Sequence, residues 1–288
     1  MILVTGAAGK TGQAVVRALL AKNQAVRTLV RNEAQSECMA SVGDTDIVIG
    51  DMSVESVLSN VFEGIRSVYH ICPNMHPDEL NIGLAMISAA KNVGVTQFVF
   101  HSVLHPQIEA MPHHWQKMRV EEALFASAIP FTILQPAAYM QNILVEWENI
   151  VQQRLIRLPY SSESKGSPVD LNDVADVASV ALSERGHIGA IYELCGPDVL
   201  TYQEQAIILS THIDREVYVD QMSLDEWKTQ AYGVGLSTYS VESLLKMFSY
   251  YDEHGFWGSS LVLCALLQRP PTSFVEFVHS HFKRMIND

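Results

Sequence analysis

Hydrophobic positions recur with two different periods along this chain. Ile2-Leu3-Val4-Thr5 is a short, nearly unbroken apolar run, as a strand covered on both faces carries. Gln13 to Lys22 then sets Val15, Val16, Leu19 and Leu20 on one helical side, with Lys22-Asn23 as a polar stop. A second apolar strand follows over Ala25 to Val30. The alternation continues with a strand over Asp46 to Ile49 and a helix capped by Ser53 with Glu55 in its first turn. Ser67 to Ile71 predicts a strand, Pro77 to Val93 a helix and Gln97 to His101 a strand. His113 to Ser127 predicts a further helix and Phe131 to Leu134 a further strand. Such repetition predicts an α/β fold, a doubly wound parallel sheet of the Rossmann type with helices on both faces.

Beyond Pro136 the pattern loosens. Ser161 to Pro168, rich in Ser, Gly and Lys, predicts an exposed loop, and Asp170 to Leu182 a capped amphipathic helix. From Thr201 onward the chain reads as mainly helical, with Trp227, Tyr232, Tyr239, Phe248, Tyr250, Tyr251, Phe256 and Trp257 concentrated there. Aromatics at helical spacing build cores first, and here they also hint at an apolar substrate cleft. The predicted organisation is a nucleotide-binding domain over residues 1–155 and a smaller, mainly helical substrate-binding part over 156–288. Some strands and helices of the second part can return to the first domain.

Gly6-x-x-Gly9-x-x-Gly12 sits between the first strand and the first helix. A residue without Cβ lets a pyrophosphate approach the bare N–H groups that open a helix. Gly6 suits the turn, Gly9 the close approach, and Gly12 the packing of helix on sheet. Ala8, Lys10 and Thr11 complete the predicted cradle. Strand, glycines, helix and second strand fit within about 30 residues, as one βαβ unit requires. The second strand ends Leu29-Val30-Arg31-Asn32. Arg31, helped by Lys10, can clamp a 2′-phosphate, which makes NADP(H) the preferred cofactor. In the alternative Arg31 is a solvated charge, Glu33 takes the ribose and NAD(H) is bound.

Composition narrows the partners. Of 288 residues 48% are apolar, enough for a sizeable core, and 32 acids against 19 bases leave a formal charge of −13. No basic stripe appears, so nucleic acid is not an expected ligand. Cys38, Cys72, Cys195 and Cys264 form no C-x-x-C, which argues against a zinc site and for a reducing compartment. The apolar stretch near Leu261 to Leu267 is too short to span a bilayer, and a first strand at Ile2 leaves no room for a leader. A cytoplasmic protein without membrane contact is expected.

The segment after the fifth strand carries candidate chemistry. His101-Ser102-Val103-Leu104-His105-Pro106 precedes Met111-Pro112-His113-His114-Trp115-Gln116-Lys117. His113 and Lys117, four apart, share a helix face that begins at the carboxyl edge of the sheet. An ammonium there can hydrogen-bond a nicotinamide ribose, and its field pushes a neighbouring group toward the deprotonated form. His113 is a candidate proton relay near neutrality, with the nearby Lys117 pushing it toward the neutral form. A metal site is not expected: His113 and His114 are adjacent and point to different faces, and no H-E-x-x-H or carboxylate accompanies them. The absence of G-x-S-x-G argues against an elbow-type hydrolase.

With these segments, Val120-Glu121, Leu134-Gln135-Pro136-Ala137 to Asn142, and Thr272-Ser273-Phe274-Val275-Glu276-Phe277, the chain resembles the NmrA-like family of atypical short-chain dehydrogenases/reductases over nearly its whole length. The resemblance implies NADP held by Gly6 to Gly12, Arg31 on the 2′-phosphate, and Asp51-Met52 near adenine. It implies Cys72-Pro73 along the ribose and pyrophosphate, Lys117 at the nicotinamide ribose, and Pro136, Ala137 and Tyr139 around the nicotinamide. Read from the residues alone, Asp51 is equally a helix-opening acid and Pro73 a strand stop.

Position 113 departs from the short-chain pattern Tyr-x-x-x-Lys, in which the phenol protonates the substrate carbonyl. The resemblance extends both to redox sensors that bind NADP without turnover and to quinone, isoflavone and benzylic-ether reductases that manage without the tyrosine. The leading expectation is an NADPH-dependent reductase of a small apolar carbonyl, quinone or enone, with Lys117 as anchor, His113 as relay and Tyr139 as a spare donor or stacking wall. The second is a non-catalytic NADP(H)-responsive protein that meets a protein partner. The third is a sugar-nucleotide epimerase, for which a tyrosine at 113 would be expected.

Overall fold

Ile2–Val4 (β1) is buried at every position, as an apolar run covered on both faces must be. In this computed structural model residues 1–287 are described, with only the helical backbone given for 282–287. After β1 come α1 (Lys10–Ala21), β2 (Val26–Val30), α2 (Glu33–Val42), β3 (Asp46–Ile49), α3 (Glu55–Val61) and β4 (Ser67–His70). Then follow α4 (Glu79–Val93), β5 (Gln97–His101), α5 (Pro112–Ser127) and β6 (Phe131–Pro136). A 3-10 segment, Met140–Glu146, leads to α6 (Trp147–Gln153), β7 (Leu155–Leu158), β8 (Lys165–Gly166), α7 (Leu171–Ser183) and β9 (Ala190–Leu194). The remainder is β10 (Leu200–Thr201), α8 (Tyr202–Ile213), β11 (Tyr218–Gln221), α9 (Leu224–Gly233), α10 (Thr238–His254), α11 (Leu261–Leu267) and α12 (Phe274–Asn287).

The chain divides into two compact units. The first combines residues 1–109, 113–135 and 174–192; the second combines 110–112, 136–173 and 193–288. The chain leaves the first unit at Gln135 and returns to it over 174–192.

The first unit holds a seven-stranded sheet in the order β3-β2-β1-β4-β5-β6-β9. Pairs from β3 through β6 are parallel, with Val4 opposite Thr28 on one side and Tyr69 on the other. Strand order therefore reverses between β1 and β4, where doubly wound sheets bind ligands at their carboxyl ends. β4 and β5 are buried throughout. Phe98 and Phe100 are wholly enclosed, and truncating such a ring costs about 3–5 kcal/mol.

The second unit builds its own core from Met140, Ile143, Ile156, Leu209, Phe248 and Phe277, among others. β7 pairs with β11 in parallel and β8 with β10 antiparallel. α8 opens with a capping box in which Thr201 and Glu204 satisfy each other's backbone N–H groups. Buried Asp173 accepts from Arg269 at 2.6 Å and from the Thr272 N–H at 2.7 Å, which fixes the approach to α12.

Four local expectations differ from the structure. α1 begins at Lys10, so Gly12 lies in its first turn. The cap expected at Ser53 moves one residue on, to Val54, with Glu55 in the first turn as expected, because the Ser53 N–H and hydroxyl both donate to Asp51, at 2.8 and 2.7 Å. α2, capped by Asn32, adds a helix with little periodicity, since Met39 is its one fully buried residue. The supposed exposed loop of 161–168 contains β8 and buries Ser167 and Pro168. Among the described residues no helix is long and apolar enough to cross a membrane.

Candidate active site

The glycine turn of the first unit is built by sterics. Gly6 has φ +58°, and a Cβ there would lie 2.9 Å from Ile71 Cγ2. A Cβ on Gly12 would come within 2.3 Å of Gly6 O, so Gly12 makes room for the turn's own backbone rather than for the sheet. Gly9 is exposed and meets only Gly6 O, at 3.3 Å, leaving the space above it open. The Gln13 N–H bonds to Gly9 O at 2.9 Å, and the N–H groups of Lys10, Thr11 and Gly12 have no acceptor inside the helix. This cradle fits a phosphate group.

Charge at the neighbouring strand end agrees. The side chains of Lys10 and Arg31 are exposed, and neither has a hydrogen bond or ion pair among the described residues; the Arg31 main-chain N–H donates to Gln35 Oε1 at 2.8 Å. Asp51 is held below the usual carboxylate range by the two Ser53 hydrogen bonds first and by the Arg31 charge after them. Met52 and Cys72 are buried in the core of this unit, so what they can offer a cofactor is backbone. Burial, and then the Glu79 charge, push the Cys72 thiol up to about 12. Pro73 beside it is half-buried.

Lys117 reaches the carboxyl end of β5. Its ammonium pairs with Glu79 of α4, lies 3.5 Å from the His101 carbonyl and sits 5.7 Å from the centre of the Phe100 ring. His113, one turn earlier on α5, is buried with its ring edge-on to His114 at 4.5 Å, and its Nδ1 has no hydrogen-bond partner among the described residues. Burial first, then the fields of His114 and Lys117, lower its pKa to about 3. The expected titration near neutrality is therefore absent: His113 is a neutral imidazole. One turn after Lys117, Glu121 receives hydrogen bonds from Ser102 and Gln135. Burial still pushes its carboxyl upward.

In the second unit, Ala137 donates its N–H to Leu194 O at 3.0 Å, and Pro136 and Ala137 are buried. Tyr139 is bridged to Val169 and lines a cavity of about 230 Å³. Met140, Ile156, Phe248 and Phe256 share that lining with three phenols, Tyr160, Tyr202 and Tyr251. Tyr160 donates to the Tyr202 hydroxyl at 2.8 Å and stacks on Phe248. Burial raises all three phenols, so they are neutral hydrogen-bond donors.

The sequence reading missed Glu79, the Glu121 cluster, Tyr160 and Tyr202. Glu79 had a faint signal, since an acid in a first helical turn is explained by the helix dipole alone. Tyr160 immediately precedes the stretch expected to be a loop, and Tyr202 opens α8, its N–H bonded to Ser162 O at 2.9 Å. Of the expected aromatics, Phe248, Tyr251 and Phe256 reach the cavity, Trp227 packs on Phe248 at 4.7 Å, and Tyr232 and Trp257 are exposed.

A model of the NmrA-like family matches residues 1–278. The chain belongs to the NmrA-like family. Its similarity to two curated relatives spans nearly their whole lengths. It is 28% identical to the NAD(P)H azoreductase of Xenophilus azovorans, covering 98% of both chains. It is 25% identical to quinone oxidoreductase 2 of Escherichia coli strain K12, covering 98% of this chain and 99% of that one. The crystal structure of the NADPH-dependent quinone oxidoreductase from Escherichia coli complexed with NADPH superposes with a TM-score of 0.85, at 25% identity, over 98% of this chain and 100% of the other. The glycine turn and Lys117 of α5 both lie in the first unit of this NmrA-like chain.

Proposed function

We propose that this chain is an NADPH-dependent reductase of a small apolar carbonyl, quinone or enone. The carrying observation is that a phosphate-ready turn at the end of β1 and a lysine ammonium at the end of β5 occur in one unit. NADPH, when bound, supplies a hydride from its nicotinamide. The α1 N-terminus with Gly6, Ala8, Gly9, Thr11 and Gly12 would hold the pyrophosphate, and Arg31 with Lys10 the 2′-phosphate. Asp51 and the backbone of Met52, Cys72 and Pro73 would border the adenosine and ribose.

Lys117 places positive charge where an acceptor oxygen turns anionic, which stabilises that state more than the ground state. His113 acts as a neutral hydrogen-bonding imidazole, and the proton for the reduced oxygen comes from water. A quinone suits such a site because it accepts hydride without prior protonation. The full-length similarity to an azoreductase and a quinone oxidoreductase supports this reading.

A second reading, a non-catalytic NADP(H)-responsive protein, is favoured by one observation. No phenol stands at position 113, and the imidazole there is neutral. The test is to mix purified protein and NADPH with a panel of quinones and enones, beside Lys117→Ala. Saturable NADPH oxidation that falls at least ~100-fold in the variant supports the reductase. Tight NADPH binding without turnover on any acceptor supports the sensor.

A further inference from the structure

A carboxylate inside a protein is costly unless a cation meets it. Glu79 is 1% exposed in the first turn of α4, and the cation that meets it is Lys117, 38 residues further along the chain. One turn beyond each partner the two helices touch again. Gly83 faces Val120 so closely that a Cβ would lie 2.7 Å from Val120 Cγ2. The bare glycine lets α4 approach α5 far enough for Glu79 to reach the ammonium.

We propose that Glu79 is the positioning residue for Lys117, fixing its ammonium at the carboxyl end of β5. This rests on the reductase reading above. An ammonium has three donors. Glu79 takes one, the His101 carbonyl lies along a second, and a third stays available for a nicotinamide ribose or an acceptor oxygen. A lysine stem has many rotamers, and an unheld ammonium samples them all. Glu79 removes most of that freedom while touching neither cofactor nor substrate.

A double-mutant cycle tests it with wild type, Glu79→Gln, Lys117→Met and the pair. Each protein is titrated with NADPH by fluorescence, melted without cofactor, and assayed for NADPH–quinone turnover. Glu79→Gln is expected to weaken NADPH binding at least ~5-fold when Lys117 is present and less than ~2-fold in Lys117→Met. Lys117→Met strands the Glu79 charge and lowers the melting temperature, and the double variant recovers part of that loss. Glu79→Asp, which keeps the charge but withdraws it from the ammonium, should bind NADPH as weakly as Glu79→Gln.

Equal factors in both backgrounds, or wild-type binding by Glu79→Asp, overturn the proposal. A coupled cycle in a protein that turns over no acceptor refutes the reductase reading and leaves Glu79 assigned. Turnover with an additive cycle refutes Glu79 alone. A wild type that does not bind NADPH refutes both.

Discussion

Gln135 Nε2 donates to both carboxylate oxygens of Glu121, at 3.0 Å each. Ser102 donates a further hydrogen bond, yet burial outweighs these donors and raises the Glu121 pKa. A raised acid binds its proton more tightly in the folded state. Its contribution is fully present below the unfolded value, about 4.3, and is lost as pH rises through the folded value. Glu121→Gln cannot ionise. The melting temperature of the variant relative to wild type is therefore expected to climb from pH 4.5 to pH 8, and a pH-independent difference would contradict the assignment.

Buried histidines impose the opposite slope. Burial holds His70, His101 and His113 at about 3 and His114 at about 4, against 6.5 for the free side chain. Folded values below unfolded ones give stability that is present above pH 6.5 and lost as pH falls toward 4 and 3. Each histidine steepens the loss of stability in that window, partly offset by Glu121. Urea midpoints should fall steeply between pH 7 and pH 5, and His113→Phe should reduce the proton uptake on unfolding by about one. A flat profile would show that these rings are solvated.

Arg31 and Lys10 carry the cofactor preference. Arg31→Ala should raise the NADPH dissociation constant ~10- to 100-fold and that of NADH less than ~2-fold, as loss of a charge-assisted phosphate contact would. Equal losses for the two cofactors, measured by titration at fixed salt, would remove the 2′-phosphate from Arg31.

Two glycines separate fold from approach. In Gly12→Ala the new Cβ would lie 2.3 Å from Gly6 O and 2.6 Å from Ala7 Cα, so the turn must move. A stability loss of about 1–3 kcal/mol is expected along with lost NADPH binding. Gly9→Ala meets Gly6 O at 3.3 Å and otherwise open space. It should melt near wild type while binding NADPH at least ~10-fold more weakly. Wild-type affinity in Gly9→Ala would place the pyrophosphate elsewhere.

The β1-α1-β2 unit was legible because local signals coincide there: an apolar run, three glycines at fixed spacing and a helical stripe. α2 was not, since its face buries little beyond Met39. β8 and β10 are two residues each, and β7 is only four, Leu-Ile-Arg-Leu, whose two leading apolar residues hide the alternation in which Ile156 and Leu158 are buried. The membership of residues 174–192 in the sheet unit depends on long-range contacts that local pattern does not encode. The same holds for the site. Lys117 and His113 show as neighbours four apart on a helix, whereas Glu79 meets Lys117 and Gln135 meets Glu121 through tertiary packing, and the neutrality of His113 follows chiefly from burial that no spacing reveals.

The most direct test is stopped-flow mixing of the NADPH-loaded protein with excess quinone, repeated with NADPH deuterated at the transferred position. The account predicts a single exponential loss of bound NADPH whose rate saturates with quinone, slows ~2-fold or more with deuterium, and falls at least ~100-fold in Lys117→Ala. Bound NADPH that persists unchanged with every quinone, in a protein whose affinity for it is intact, would contradict the account.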